Sequence, residues 1–432
     1  MKIKHSIFAV LTILLFASCS FNDELYPDYE NEAYNPSPAR LEKTGIPVVQ
    51  LNTKDGETIE SKDEWKDASF AILGNACGFE DLSIETLKVK GRGNSTWEQP
   101  KKPYSLKLEE KAEMLGMPKS KRWVLIANYS DKTLLRNLYA SYLANTIYKE
   151  TWNPSFKSVH LILNGQYKGV YMLGEQIKID DNRVNIKDIS KAKSIDKGGF
   201  IFEIDGRQDE VFNFVTGRGV CISLKDPDEV SDEIQQRVKD IIQTAEDALY
   251  SENFADPANG WRKYFDEASV IAWYLMNELG KNVDSANYAS IYFYYDPSDK
   301  LIHMGPNWDF DLAYGNVNYA DCDSTEDLYV KNNSIWIHQM FFDAGFVNNV
   351  KNKWNSTREP LFASINTWIP EEALSLQKAA YVNFSRWEIL GKYVWPNPSG
   401  YYKRTTYQSE IDYLTDWLND RYSYLNTALN GL

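Results

Sequence analysis

The segment that decides the fold runs from Asn282 to Asn316 and reads NVDSANYASIYFYYDPSDKLIHMGPNWDFDLAYGN. Tyr288–Tyr295 and Leu301–Met304 read as strands, being rich in aromatic and β-branched residues, and Asp296–Lys300 reads as the turn between them. A hairpin returns the chain to where it began. Asp284 and Asn287, just before the first strand, are therefore expected to meet Asp309 and Asp311, just after the second. Two or three Asp or Asn side chains, completed by water and phosphate oxygens, are a common way for a protein to hold Mg²⁺.

Upstream of this hairpin the pattern changes twice. Ile46–Leu51, Glu85–Lys90, Pro103–Leu108, Arg122–Ala127, Val159–Leu163, Lys168–Leu173 and Gly199–Ile204 read as strands, with Asn164-Gly165 as a type I′ hairpin turn. One helix interrupts them: Ser130 is its expected N-cap, and Leu134, Leu135, Leu138 and Tyr142 fall at helical spacing. Beyond residue 228 helical periods dominate, in stripes led by Val230, Ile234, Val238 and Leu249 and then by Ile271, Tyr274, Leu275 and Leu279. Downstream of the hairpin, Trp336–Phe346, Ser364–Ala380 and Glu410–Leu429 read as helices. The expectation is an α+β protein with a kinase-like two-lobed fold: a strand-rich N-lobe over 45–227, and a mostly helical C-lobe over 228–432 carrying the metal-binding hairpin.

The beginning of the chain reads differently. Lys2 and Lys4, an apolar run from Ile7 to Phe16, and Ala17-Ser18-Cys19 have the form of a lipoprotein signal peptide over 1–18, the run being too short to span a membrane. Cys19 would then carry the lipid, and residues 19–44, acidic and proline-containing, would be a disordered tether. This places the protein in a bacterial cell envelope, anchored to the outer membrane on its periplasmic or outer face. The whole chain of 432 residues has a net charge of −14. With no dense basic tract, that balance argues against nucleic acid as a partner. Cys77, Cys221 and Cys322 share no CxxC spacing, so a zinc site is not indicated, and they are compatible with one disulfide or none.

A second cluster, Lys90-Gly91-Arg92-Gly93-Asn94-Ser95, follows a predicted strand and precedes Lys101, Lys102 and Lys107. Glycines let backbone amides approach a phosphate, and the basic side chains supply positive potential in an otherwise acidic protein; a plain turn between strands explains the same residues. Taken with the acids of the hairpin, the cluster supplies what phosphoryl transfer needs, since that chemistry rests on positioning and charge neutralisation. In that frame Asp284 accepts or orients a hydroxyl proton, Asn287 and Asp309 hold Mg²⁺, and Asp311 assists. Asp309 and Asp311 share a face if extended, so either could be the primary ligand. Glu175 ends the Asn164-Gly165 hairpin where a nucleotide base would lodge, or is a surface glutamate.

These residues together resemble the CotH family of secreted atypical protein kinases. The likeness runs over roughly Ile46 to Leu429. It rests on GRGNSTW with KKPYSLKL (Gly91 to Leu108), WVLIANYSDKTLLRN, LNGQYKGVYMLGEQI, GGFIFEID, NVDSAN and GPNWDFDLAYGN. The resemblance implies a divergent kinase-like fold, ATP with a divalent cation, Mg²⁺ or Mn²⁺, and transfer of phosphate to Ser or Thr of a protein partner, which the lipid anchor would place in the envelope or at the surface. By position, Asp284 resembles the catalytic-loop acid, Asn287 its metal-binding companion and Asp309 the later metal-binding acid. Lys102 or Lys107 resembles the phosphate-contacting lysine, and Arg92, Gly93, Asn94, Ser95 and Glu175 complete the expected nucleotide contacts. The chain departs from ordinary kinases in having no His-Arg before Asp284, WDFD in place of DFG, and no glutamate inside the first helix to pair with the lysine. Rival readings are a non-catalytic envelope scaffold and, from the 14% aromatic content and paired acids, a glycan-active lipoprotein.

Overall fold

The computed structural model describes residues 29–432; the expected signal peptide, Cys19 and the first part of the tether lie outside them. Seven strands form a closed barrel in the order β1-β2-β3-β4-β5-β7-β6: β1 (Val48–Thr53), β2 (Lys66–Leu73), β3 (Leu82–Gly91), β4 (Tyr104–Met114), β5 (Met117–Ile126), β6 (Phe156–Leu163) and β7 (Gln166–Glu175). Closure is made by β1 running parallel to β6, with Val48 beside His160. Two-residue periodicity then sorts side chains between inside and outside. Leu87, Val89, Leu106, Leu108, Trp123 and Leu125 fill the barrel, while Lys107 stands on its outer surface. Trp123 is fully buried, with its indole N–H satisfied by the Ser120 carbonyl at 3.0 Å. The β6–β7 turn has positive φ at Asn164 (50°) and Gly165 (76°), the type I′ geometry expected of that pair.

The first helix longer than two turns, α1 (Arg136–Thr146), begins later than its leucine pattern indicates. Asp131 takes the place expected for Ser130: its carboxylate accepts from the Thr133 and Arg136 amides at 3.1 and 2.9 Å, folding 131–134 into a turn ahead of the helix.

A second sheet has the order β12-β11-β8-β10-β9, from β8 (Phe200–Ile204), β9 (Asn213–Val215), β10 (Cys221–Asp226), β11 (Ile291–Asp296) and β12 (Leu301–Met304). All its pairings are antiparallel, and β8 lies between β10 and β11. The sheet therefore crosses position 227, where the sequence reading divides the chain. One face carries Phe200, Phe202, Ile204 and Phe293 into the main core, with Phe202 stacked on Phe293 at 5.0 Å. The opposite face carries Glu203 and Tyr292, cross-strand partners.

The remainder is helical: α2 (Asp232–Leu249), α3 (Glu267–Gly280), α4 (Ile335–Met340), α5 (Ala344–Asn366), α6 (Trp368–Arg386) and α7 (Tyr407–Asn430). Two expected helices have different limits for local reasons. Asp343 caps α5 by accepting from Gly345 N at 2.8 Å, which breaks Trp336–Phe346, and Thr367, with φ −123°, divides Ser364–Ala380. Buried Glu278 of α3 pairs with buried Arg421 of α7 at 2.8 Å. Arg421 also donates to the carbonyls of Glu278, Thr325 and Asp327. Residues 29–44, inside the expected tether, are attached to the domain: Glu30 pairs with Arg386, Asn31 N donates to Arg386 O at 2.6 Å, and Leu41 is fully buried. Cys77, Cys221 and Cys322 are free thiols. The architecture is α+β, strand-rich first and helical towards the C-terminus.

Candidate active site

A cleft of about 690 Å³ opens where the β3–β4 connection faces the second sheet and the WDFD segment. On the barrel side β3 ends at Gly91, and Arg92 N donates to Pro103 O at 3.2 Å, pinching the connection into a turn. Gly93 has φ +83°, and a Cβ there would stand 2.1 Å from Thr96 Oγ1. Only glycine fits. Arg92, Gly93, Asn94 and Ser95 all line the cleft. Arg92 lies over the Trp308 ring at 5.1 Å, and Asn94 Oδ1 accepts from Lys62 Nζ at 3.3 Å.

The facing wall is acidic. Asp284 sits in the 3₁₀ turn Val283–Ser285 just after α3, and Asp309 and Asp311 follow β12; all three line the cleft. Asp309 holds φ +66°, a left-handed conformation unusual for a residue with a side chain and costing on the order of 1–3 kcal/mol. Its neighbours enforce it. Asn282 Nδ2 donates to Asp309 O at 3.3 Å, Ser290 Oγ donates to Asp309 Oδ2 at 3.1 Å, and Phe310 N donates to Asn137 Oδ1 at 2.7 Å. Arg136, paired with buried Asp131 at 2.7 Å, donates to the carbonyls of Ala313 and Tyr314 at 3.1 and 3.3 Å. The first helix thus grips the acidic loop through Arg136 and Asn137 in succession.

The acids crowd one another. Burial and the charge of Asp309 push the Asp284 carboxyl up to about 7, with Arg207 opposing. Burial and a hydrogen-bonded Asp309 raise the Asp311 carboxyl well above the carboxylate range. Asp309 and Asp311, in contact with each other, offer hard oxygen donors that fit a divalent cation such as Mg²⁺ or Mn²⁺, with Asp284 close enough to feel the charge of Asp309.

Four expected site residues are not brought here. Asn287 donates from Nδ2 to Asn333 O at 2.7 Å and accepts at Oδ1 from Ile335 N at 2.9 Å, so its amide fastens the start of α4. Lys102 donates to Trp97 O at 2.5 Å and lies over the Trp97 ring. Lys107 is exposed on the outer barrel surface, because Leu106 and Leu108 occupy the interior. Glu175 is 2% exposed, paired with Arg183 at 2.6 Å and accepting from Ser155 N at 2.8 Å; it is neither a surface residue nor a cleft residue.

The structure adds residues that the sequence reading did not select. Glu203 and Lys225, from β8 and β10, line the cleft and pair at 3.1 Å. Their only signal in the sequence is a charged residue inside a short apolar run. A second groove of about 450 Å³ adjoins the cleft, sharing Arg92, Gly93, Asp209, Glu210, Lys225, Tyr292 and Trp308 with it and extending to Lys90 and Arg122, both over the Trp65 ring. Among the described residues, the group of three whose ligand atoms all lie within 4.8 Å of one another is Asp296, Asp299 and His303, away from the cleft. That group lies at the turn end of the β11–β12 hairpin, where His303 is paired with Asp266 and Asp299.

A family model described as CotH kinase protein matches residues 89–425, most of the chain. The match begins within β3 and takes in both walls of the cleft. No curated protein matches the chain.

Proposed function

The chain belongs to the CotH kinase family, and from that premise we propose that it is a Mg²⁺- or Mn²⁺-dependent phosphotransferase acting from ATP on Ser or Thr of an envelope or surface protein. The observation that carries this reading is the meeting of the Arg92–Ser95 turn with Asp284, Asp309 and Asp311 around one cleft. A kinase-like arrangement of two lobes is supported by the sources of these walls, the turn coming from the barrel and the acids from the largely helical part. Cell-envelope attachment through Cys19 is part of the same proposal, resting on the form of residues 1–19; among the described residues no helix is long and apolar enough to cross a membrane.

In this reading Asp309 and Asp311 hold the cation, which when bound neutralises charge on the phosphate oxygens. Arg92 and the amides of the turn face the phosphates, in the manner of other glycine-rich anion-binding turns. Asp284 takes the proton of the acceptor hydroxyl while that oxygen forms the new P–O bond, the bridging bond to the γ-phosphorus breaks and ADP departs. Ser290, Asn282 and Asn137 keep the Asp309 loop from relaxing, so that no reorganisation is required when substrate arrives.

The test is incubation of the chain from Ser20 onward, which keeps Glu30 and Asn31 on Arg386, with radiolabelled ATP and Mn²⁺ or Mg²⁺, reading label on added envelope proteins. Metal-dependent label is expected, falling roughly 10²-fold in Asp284→Ala. Absence of both label and ATP-dependent thermal protection would favour the scaffold reading. Gly93→Ala is expected to raise KM for ATP by about tenfold with a smaller change in kcat, since it displaces the turn and not the acids; a wild-type KM would remove the turn from the site.

A further inference from the structure

We propose that Lys225 is the phosphate-contacting lysine of this site and that Glu203 is its positioning residue; this rests on the phosphotransferase reading above. The expected candidates are excluded by position, Lys102 being held by Trp97 and Lys107 lying outside the barrel. Among the described residues lining the main cleft, Lys225 is the only lysine. It also lines the adjoining groove, so it stands where the two spaces join, beside Arg92 and Tyr292.

Local structure explains how a strand residue comes to point there. The β10–β8 register shifts between Leu224 and Asp226, which places Lys225 in a bulge, the device by which strands re-aim a side chain near a site. Lys225 is paired with Glu203 Oε2 at 3.1 Å and with Glu210. Burial opposes its charge, but Tyr292, Glu203 and Glu210 hold it above the ordinary lysine value, so it remains an ammonium in a largely buried place.

Glu203 does more than balance that charge. Its Oε1 accepts from Ser290 N at 2.7 Å, and Ser290 Oγ donates to Asp309 Oδ2 at 3.1 Å. One short path, Lys225–Glu203–Ser290–Asp309, therefore fixes the lysine relative to the acid that would hold the cation. The α1 helix has no acid for this purpose; in its place the lysine and its glutamate come from neighbouring strands of the second sheet. Glu210, 36% exposed and also paired with Lys225, is the partner an incoming phosphate would displace.

The decisive experiment uses the unaltered protein with an acyl-phosphate derivative of ATP: a lysine near the terminal phosphate gives up a proton, for Lys225 to its paired Glu210 or Glu203, and the free amine attacks the carbonyl, forming an amide and releasing ATP. Acylation is expected at Lys225, suppressed by excess ATP. Acylation at Lys102, Lys107 or Lys90 in its place would overturn the assignment. In parallel, Lys225→Met is expected to lose ATP-dependent thermal protection and roughly 10²-fold in kcat/KM, with Lys102→Met and Lys107→Met at wild-type rates. Glu203→Gln is expected to lower kcat more than it raises KM, and Lys225→Arg to recover part of the rate; a lysine that only neutralised Glu203 and Glu210 would move the melting temperature of the ligand-free protein and leave these parameters alone. Wild-type protection by ATP that persists undiminished in Lys225→Met sinks this inference and leaves the phosphotransferase reading standing, whereas no protection of the wild type sinks both.

Discussion

Asp309→Ala is expected to abolish metal-dependent protection by ATP and to reduce phosphate transfer by roughly 10³-fold. The carboxylate is the one acid of the cleft that the fold holds in a left-handed backbone conformation with a dedicated hydroxyl donor, Ser290, at 3.1 Å. Alanine removes the charge and that hydrogen bond together, and it also leaves a less tolerant residue at positive φ. Asp309→Asn separates these effects, since it keeps the shape and tolerates the same backbone. Both variants are to be followed by thermal shift with ATP, with and without Mn²⁺, and by radiolabel transfer. Retention of metal-dependent protection in Asp309→Asn would mean that Asp311 or Asp284 is the principal cation ligand.

The largest expected effect on stability is at the Glu278–Arg421 pair. Both side chains are fully buried, and they meet at 2.8 Å. Glu278→Gln strips the counter-charge from a guanidinium that water cannot reach, an event that costs about 3–5 kcal/mol. Burial alone presses the Glu278 carboxyl above its ordinary range, and Arg421 opposes that shift, so the pair is poised to be sensitive to loss of either partner. Urea denaturation is expected to show a lower midpoint with an unchanged slope. Adding Arg421→Met to Glu278→Gln is expected to cost less than the two single changes combined, because they share one interaction. A single change within about 0.5 kcal/mol of wild type would mean that the carbonyls of Thr325 and Asp327 suffice to hold Arg421.

The acids of the site were legible because a hairpin leaves little freedom in where its two ends lie, and Asp284, Asp309 and Asp311 flank one. The glycine turn was legible because Arg92-Gly93 follows an alternating strand. The lysine was not. Strand parity separates Lys102 from Lys107, but it cannot say which surface of β4 borders the cleft once the strands close into a barrel, and β1 lying parallel to β6 is a long-range event with no local mark. β2, whose Lys66–Leu73 sequence KDASFAIL begins with charged and small residues, carries little strand signal, so closure has no local mark. Lys225 lies in a six-residue strand running into Pro227, a segment that reads as loop. The spacing of Asn287 after Asp284 suggests a ligand, yet its φ of +88° goes with an amide turned towards α4.

The pairing of β8 with both β10 and β11 also bears on how the chain is made. As the polypeptide emerges, β8 can recruit β10 at once, but its other edge waits for β11, with Ile204 meeting Ile291 only after α2 and α3 have been synthesised. Until then Phe200–Ile204 offers an unpaired row of amides and carbonyls beside apolar side chains, a template that any extended segment can join. Until β11 pairs with it, that five-residue edge is an aggregation liability of the incompletely folded chain, and it is a surface that a chaperone could shield.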